Sequence, residues 1–152
     1  MNTTHKNPIR TFGGFLIALT LLSVPLASQA QKGKTPPVKA MSNFKEAATV
    51  WKKVEAKVKL LHKTIDAKRW KSVHEAAFAV RDQVALLPSK SKGLSSDNQK
   101  KLAKGVGTVK KLASDLDEAG DGGKGAEVEA LHKKLDIVLG AIKGLYPAGA
   151  LK

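Results

Sequence analysis

The sequence predicts an all-α protein, an antiparallel up-down-up-down four-helix bundle that follows a cleaved signal peptide. Two observations lead to this prediction. An apolar run after a short basic start ends in small residues, and four later segments repeat their apolar residues every three or four positions. The predicted parts are a signal peptide at 1–30, a flexible basic tail at 31–42, the bundle at 43–146 and a C-terminal tail at 147–152.

The start of the chain has the three parts of a secretory signal. Lys6 and Arg10 precede an apolar run at residues 12–27, and Ser28 and Ala30 provide small side chains before the predicted cut. The run is shorter than the ~20 residues that span a bilayer, so cleavage is favoured over anchoring. The mature protein is expected to be periplasmic or secreted. We expect it to be a monomer and not to span the membrane. Its formal net charge would be +12, against +14 for the whole chain.

The first two helices are predicted from apolar residues at helical spacing. Asn43 and Glu46, three residues apart, are interpreted as a capping pair at the start of the first helix. Its buried stripe consists of Phe44, Ala47, Trp51, Val54, Val58, Leu61 and Ile65. The second helix starts at Trp70, and Pro88 is expected to end it. Both tryptophans are interpreted as core residues.

The third and fourth helices follow a loop rich in serine and lysine. Ser96 is predicted to cap the third helix with Gln99 as its partner, and the glycine-rich residues 119–125 are predicted to form the next turn. The fourth helix is expected to stop at Pro147. Short connections favour antiparallel neighbours. Close approach of these helices is predicted at three glycines: Gly105, Gly107 and Gly140.

Three histidines lie beyond the signal peptide, and all fall at the end of the bundle that contains the first and third turns: His62, His74 and His132. Each directly follows a core residue, and no two have the i, i+4 spacing of a strong local motif. Imidazole is a common metal ligand, so we expect the three to share a divalent or cuprous ion, Cu, Zn or Ni. Four carboxylates could complete or orient this site: Asp66, Glu75, Asp115 and Glu129. Separate half-buried histidines that bond to their neighbours are the alternative.

The chain contains no cysteine, which excludes disulfides, thiolate metal sites and haem attached through a Cys-x-x-Cys-His motif. No haem is therefore expected. The sequence also shows no nucleophile and base pattern and no glycine-rich loop between a strand and a helix, so we expect a protein that is not an enzyme.

The opposite end of the bundle is rich in lysine, and these residues predict a basic surface: Lys52, Lys53, Lys100, Lys101, Lys104, Lys110 and Lys111. The alternative function is thus a basic interaction module that docks on an anionic envelope surface or an acidic partner. Nucleic acid is not an expected partner, because this end has a single arginine, Arg81, and lacks aromatic stacking platforms.

Three segments carry a family resemblance: VHEAAFAVRD at 73–82, LDEAGDGG at 116–123 and LYPAGAL at 145–151. They resemble small exported helical-bundle proteins associated with bacterial heavy-metal efflux and resistance systems. The resemblance implies metal handling in the periplasm beside an efflux component, and it favours His74 as a functional residue. A likeness to exported four-helix cytochromes exists at the level of architecture alone.

Overall fold

The computed structural model describes residues 42–152, and these residues are helical and contain no strand, which confirms the all-α prediction. The helices are, in chain order, α1 (Lys45–Asp66), α2 (Val73–Val84), the one-turn α3 (Leu87–Lys90), α4 (Ser96–Asp121) and α5 (Gly125–Lys143). A 3₁₀ turn, Trp70–Ser72, leads into α2. The predicted signal peptide, and the basic tail apart from its last residue, lie outside the described residues.

One continuous apolar core joins the four longer helices. α1 packs on α2, α2 on α4 and α4 on α5. The largest fully buried side chains include Leu61, Val80, Leu102, Val109, Leu116 and Leu135. Burying each such side chain contributes about 1.5–3 kcal/mol, so packing of the apolar stripes outweighs helix propensity here. No helix in the described part is long and apolar enough to cross a membrane.

The core extends beyond α5 into the segment predicted as a C-terminal tail. Tyr146, Ala150 and Leu151 are buried, and the Tyr146 hydroxyl lies 2.6 Å from the Ser91 hydroxyl. The Tyr146 ring meets the edge of Phe44 at 5.7 Å between centroids. Tyr146 therefore packs against the start of α1 and the loop before α4.

The predicted capping pair at the start of α1 is wrong. Phe44 is the residue that precedes the helix, and no side chain caps it. The Glu46 carboxylate pairs instead with the Lys90 ammonium, 2.9 Å away on α3. Phe44 itself is buried in the core at this point.

The start of α4 differs from the prediction by one residue. Ser95, not Ser96, caps the helix, and its hydroxyl accepts a hydrogen bond from the Asn98 backbone amide at 3.3 Å. The Gln99 backbone amide donates to the Ser95 carbonyl at 2.8 Å, but the side chain of Gln99 does not bond back to the cap. Its side-chain amide donates to the Leu94 carbonyl at 3.0 Å.

Pro88 does not end the second helix. α2 stops at Val84, and Pro88 lies in the first turn of α3. A proline is tolerated there because the backbone N–H that it lacks would have no helical partner.

α4 is longer than predicted, and only residues 122–124 separate it from α5. Gly120 lies inside the helix, and a Cβ atom there would stand 2.7 Å from the Trp70 carbonyl oxygen, so this close approach requires a glycine. Of the three glycines predicted at close approaches, Gly105 fits, since its Cβ would meet Ile142 at 2.8 Å. Gly107 and Gly140 face open space, so the prediction is wrong there.

α1 and α4 end in the same backbone motif with different residues at the critical position. After α1, Lys68 adopts φ 53°, and the Arg69 amide bonds to the Thr64 carbonyl at 3.0 Å. After α4, Gly123 adopts φ 64°. A left-handed conformation costs a residue with a Cβ atom roughly 1–2 kcal/mol, whereas glycine adopts it freely.

Replacing Lys68 by glycine should therefore raise the free energy of unfolding by about 1 kcal/mol, because it removes this backbone strain. Gly123→Lys is the matched reverse change and should lower it by about as much. Urea unfolding followed by circular dichroism measures both. A Lys68→Gly protein less stable than the parent would show that the left-handed backbone at position 68 is not strained.

Candidate metal centre

His132 lies on α5 at the edge of the core, with 16% of its side chain exposed. The residue before it, Leu131, is buried, which turns the imidazole toward α1 at the margin of the apolar stripe. Its Nε2 atom is buried and has no hydrogen-bond partner. A buried polar atom without a hydrogen-bond partner lowers the stability of the folded state by about 1–3 kcal/mol, so a ligand that bonded to this nitrogen would recover that free energy.

His62 and Asp136 complete a compact group with His132. The His62 and His132 rings meet edge to face with 4.4 Å between centroids. His62 Nε2 lies 3.3 Å from Asp136 Oδ1, and His132 Nε2 lies 3.6 Å from Asp136 Oδ2. One ligand atom from each residue falls within 4.8 Å of the others. Two helices thus bring two imidazole nitrogens and one carboxylate to a common point.

Burial lowers the pKa of His132 below its ordinary value of 6.5. The Asp136 carboxylate acts in the opposite direction, and the charge of His62 adds to the lowering. The neutral imidazole is therefore favoured, and this is the form that ligates metal ions.

Two of the four predicted accessory carboxylates lie near His132. Asp66 and Glu129 line a cavity of about 370 Å³ that His132 and Lys133 also border. The other two lie elsewhere: Asp115 pairs with Lys111 at 2.7 Å, and Glu75 is exposed in the first turn of α2.

The structure places His74 outside this group. Its Nδ1 atom lies 2.7 Å from Asp117 Oδ1 on α4, and its ring packs on Phe78 with 4.5 Å between centroids. Of the three histidines predicted to share an ion, the structure therefore brings together His62 and His132, and it supplies a carboxylate in place of His74.

Asp136 is the residue that the sequence analysis missed. It lies four residues after His132, the spacing that puts two side chains on one face of a helix. A histidine and a carboxylate at this spacing can hold a metal ion as two histidines can. That mixed pair was the available signal.

A groove between α1 and α5 begins at this group. His62 and Asp136 border it at one end, and Trp51 and Lys143 border it at the other. At the second end the Glu55 carboxylate accepts hydrogen bonds from Lys143 Nζ and Trp51 Nε1, both at 2.8 Å. The bond from Lys143 holds the pKa of Glu55 below its ordinary value.

The lysines predicted to form a basic surface are all exposed. Lys111 pairs with Asp115. The other six make no ion pair within residues 42–152: Lys52, Lys53, Lys100, Lys101, Lys104 and Lys110.

No family model, curated protein or solved structure matches the chain. The family resemblance noted in the sequence therefore stays a prediction.

His132 should make the metal-free protein less stable in acid. Its pKa is lower in the folded state than in the unfolded state, so the unfolded chain takes up the proton first as the pH falls. This stability is present in full above about pH 6.5 and is lost as the pH falls through the folded-state pKa. Urea unfolding between about pH 8 and pH 5 measures the slope, and His132→Gln should make it shallower. Equal slopes in both proteins would contradict the expectation.

Proposed function

We propose that this protein is an exported, periplasmic metal-binding protein that buffers or carries a divalent transition-metal ion through His62, His132 and Asp136. It acts by reversible binding and not as an enzyme. The observation that supports the proposal is the convergence of these three side chains around a buried imidazole nitrogen that has no partner.

The distances within the group suit an ion about 2.0–2.1 Å from each donor, since ligand atoms of a tetrahedral site then stand roughly 3.4 Å apart. His62 Nε2 lies 3.3 Å from one Asp136 oxygen and His132 Nε2 lies 3.6 Å from the other, and one donor atom of each residue lies within 4.8 Å of the other two, so small side-chain shifts would bring three donors to this spacing. An ion would give His132 Nε2 the partner that it lacks. Imidazole and carboxylate donors without thiolate suit Zn²⁺, Cu²⁺ and Ni²⁺, and the Irving–Williams order favours copper among them.

The exposure of the group suits exchange of the ion. The side chains of His62 and Asp136 are each 42% exposed, so solvent and an acceptor protein can reach them. Three protein donors leave at least one coordination position for water or an incoming ligand. A buffer or carrier needs this access, whereas a structural metal site is closed.

The proposal includes the antiparallel up-down-up-down order of the helices and export by the predicted signal peptide. Pairing of His62 with Asp136 and of Glu55 with Lys143 supports opposite directions for α1 and α5. The resemblance to exported proteins of heavy-metal resistance supports the location, and a component of a metal efflux system is the partner that we propose.

Alanine at position 62 or 132, or Asp136→Asn, should weaken binding of Zn²⁺ by about tenfold or more, because each change removes one of three donors. Calorimetric titration with Zn²⁺, Cu²⁺ and Ni²⁺ tests this. His74→Ala is the matched control and should leave the affinity unchanged, since Asp117 holds His74 elsewhere. Equal losses in all four variants, or no binding by the parent protein, would overturn the proposal.

The second candidate function is a basic module that docks on an anionic envelope surface or an acidic partner. The specific observation in its favour is the exposure of six lysines that lack ion pairs in the described part of the chain. Each lysine near an anionic membrane contributes about 1 kcal/mol, and salt screens this attraction over ~8 Å at physiological ionic strength.

Charge reversal at Lys100 and Lys101 should weaken binding to vesicles that contain anionic lipid, and added salt should abolish the binding of the parent protein. The same reversal at Lys133 and Lys134, which are also exposed, is the control and should have little effect. Vesicle sedimentation measures both. Equal losses from the two pairs would show that the position of the charge does not matter.

A further inference from the structure

The groove between α1 and α5 has an apolar wall and polar ends. Val54, Val58 and Leu139 form part of its lining, and its volume is about 250 Å³. Pockets for drug-sized ligands have volumes of roughly 300–1,000 Å³, so this groove suits a smaller molecule. The apolar lining favours a hydrocarbon or aromatic body.

Each end of the groove has a lysine, and only one of the two lysines is paired with a carboxylate. At the Trp51 end, Lys143 is bonded to Glu55, which also accepts the tryptophan N–H. At the other end, Lys59 borders the groove and makes no ion pair within residues 42–152. It precedes His62 by three residues, which places the two side chains on one side of α1, about one turn apart.

We propose that the groove binds a small monocarboxylate with an apolar body. One carboxylate oxygen occupies the open coordination position of the metal ion, and the other faces the Lys59 ammonium. The apolar body lies along Val58 and Leu139. This inference rests on the proposed function, because the metal supplies one of the two carboxylate contacts.

Charge complementarity identifies this occupant. A dication held by one carboxylate keeps a net positive charge, and the unpaired ammonium adds a second one at the same end of the groove. An anion is therefore attracted there, and an oxygen donor suits all three candidate ions. A second carboxylate would meet either the apolar wall or, at the Trp51 end, a Lys143 ammonium that Glu55 already neutralises, so a monocarboxylate is favoured over a dicarboxylate.

Gly140 offers a way to close the groove without touching the donors. It borders the groove, is exposed, and a Cβ atom there would meet nothing within 4 Å. Gly140→Leu should therefore fold and occupy the groove. Gly107 on α4 also faces open space but does not border the groove, so Gly107→Leu is the matched control.

The test uses 4-fluorobenzoate as the probe, followed by ¹⁹F NMR on the full protein with and without Zn²⁺. Zinc-loaded protein should bind the probe, and 4-fluorobenzyl alcohol, which lacks the carboxylate, should bind about tenfold more weakly. Lys59→Gln should weaken binding by about fivefold, and Lys53→Gln, on another side of α1, should not. Gly140→Leu should abolish probe binding and keep Zn²⁺ affinity, while Gly107→Leu should keep both.

The outcomes separate this inference from the proposed function. Zn²⁺ binding that depends on His62 and His132, with no probe binding, would overturn the groove inference and leave the proposed function standing. Equal probe binding by Gly140→Leu would also overturn it, since the probe would then lie elsewhere. If the probe binds without Zn²⁺ and this binding still depends on Lys59, the proposed bond between the carboxylate and the metal ion would be wrong. Absence of Zn²⁺ binding in the parent protein would overturn the proposed function.

Discussion

The spacing between α1 and α5 is the constraint on which the candidate site depends. α1 packs closely on α2, α2 on α4 and α4 on α5, whereas the backbones of α1 and α5 approach each other less closely. His62 reaches Asp136 near one end of the shared seam, and Glu55 reaches Lys143 near the other. Two helices in close contact would fill such a seam with apolar side chains at crystalline density. The wider separation leaves room for polar groups and for a groove.

The half-buried position of His132 leaves its Nε2 atom without a partner and keeps the imidazole neutral. His62 and Asp136 can exchange hydrogen bonds with water, because each is 42% exposed. His132 Nε2 cannot, since it is buried and has no partner. Protonating this imidazole is disfavoured by burial, which lowers its pKa. A cation shared with the Asp136 carboxylate would give this nitrogen a partner and have its own charge partly neutralised.

Burial of the apolar stripes could be predicted from the sequence, because helical periodicity alone determines which residues share a face. The site could be predicted only in part. His62 and His132 converge as expected, but His74 contacts Asp117 on α4, and the rotation of each helix that decides this is not encoded in local spacing. Details of the helix ends also depend on tertiary packing. At the start of α1, for example, the sequence predicts a cap by Asn43 and Glu46, but the residue that precedes the helix is the buried Phe44.

A metal ion at this position would link α1 to α5. Its donors come from both walls, His62 from α1 and His132 with Asp136 from α5, so coordination would add a direct link between the two helices at the edge of the core. Binding to the folded state alone raises the free energy of unfolding by RT ln(1 + L/Kd), where L is the concentration of the free ion. The affinity must then include the free energy needed to hold the helices at the right separation. Donor identity therefore sets which ions fit, while the packing of α1 against α5 sets how tightly they are held.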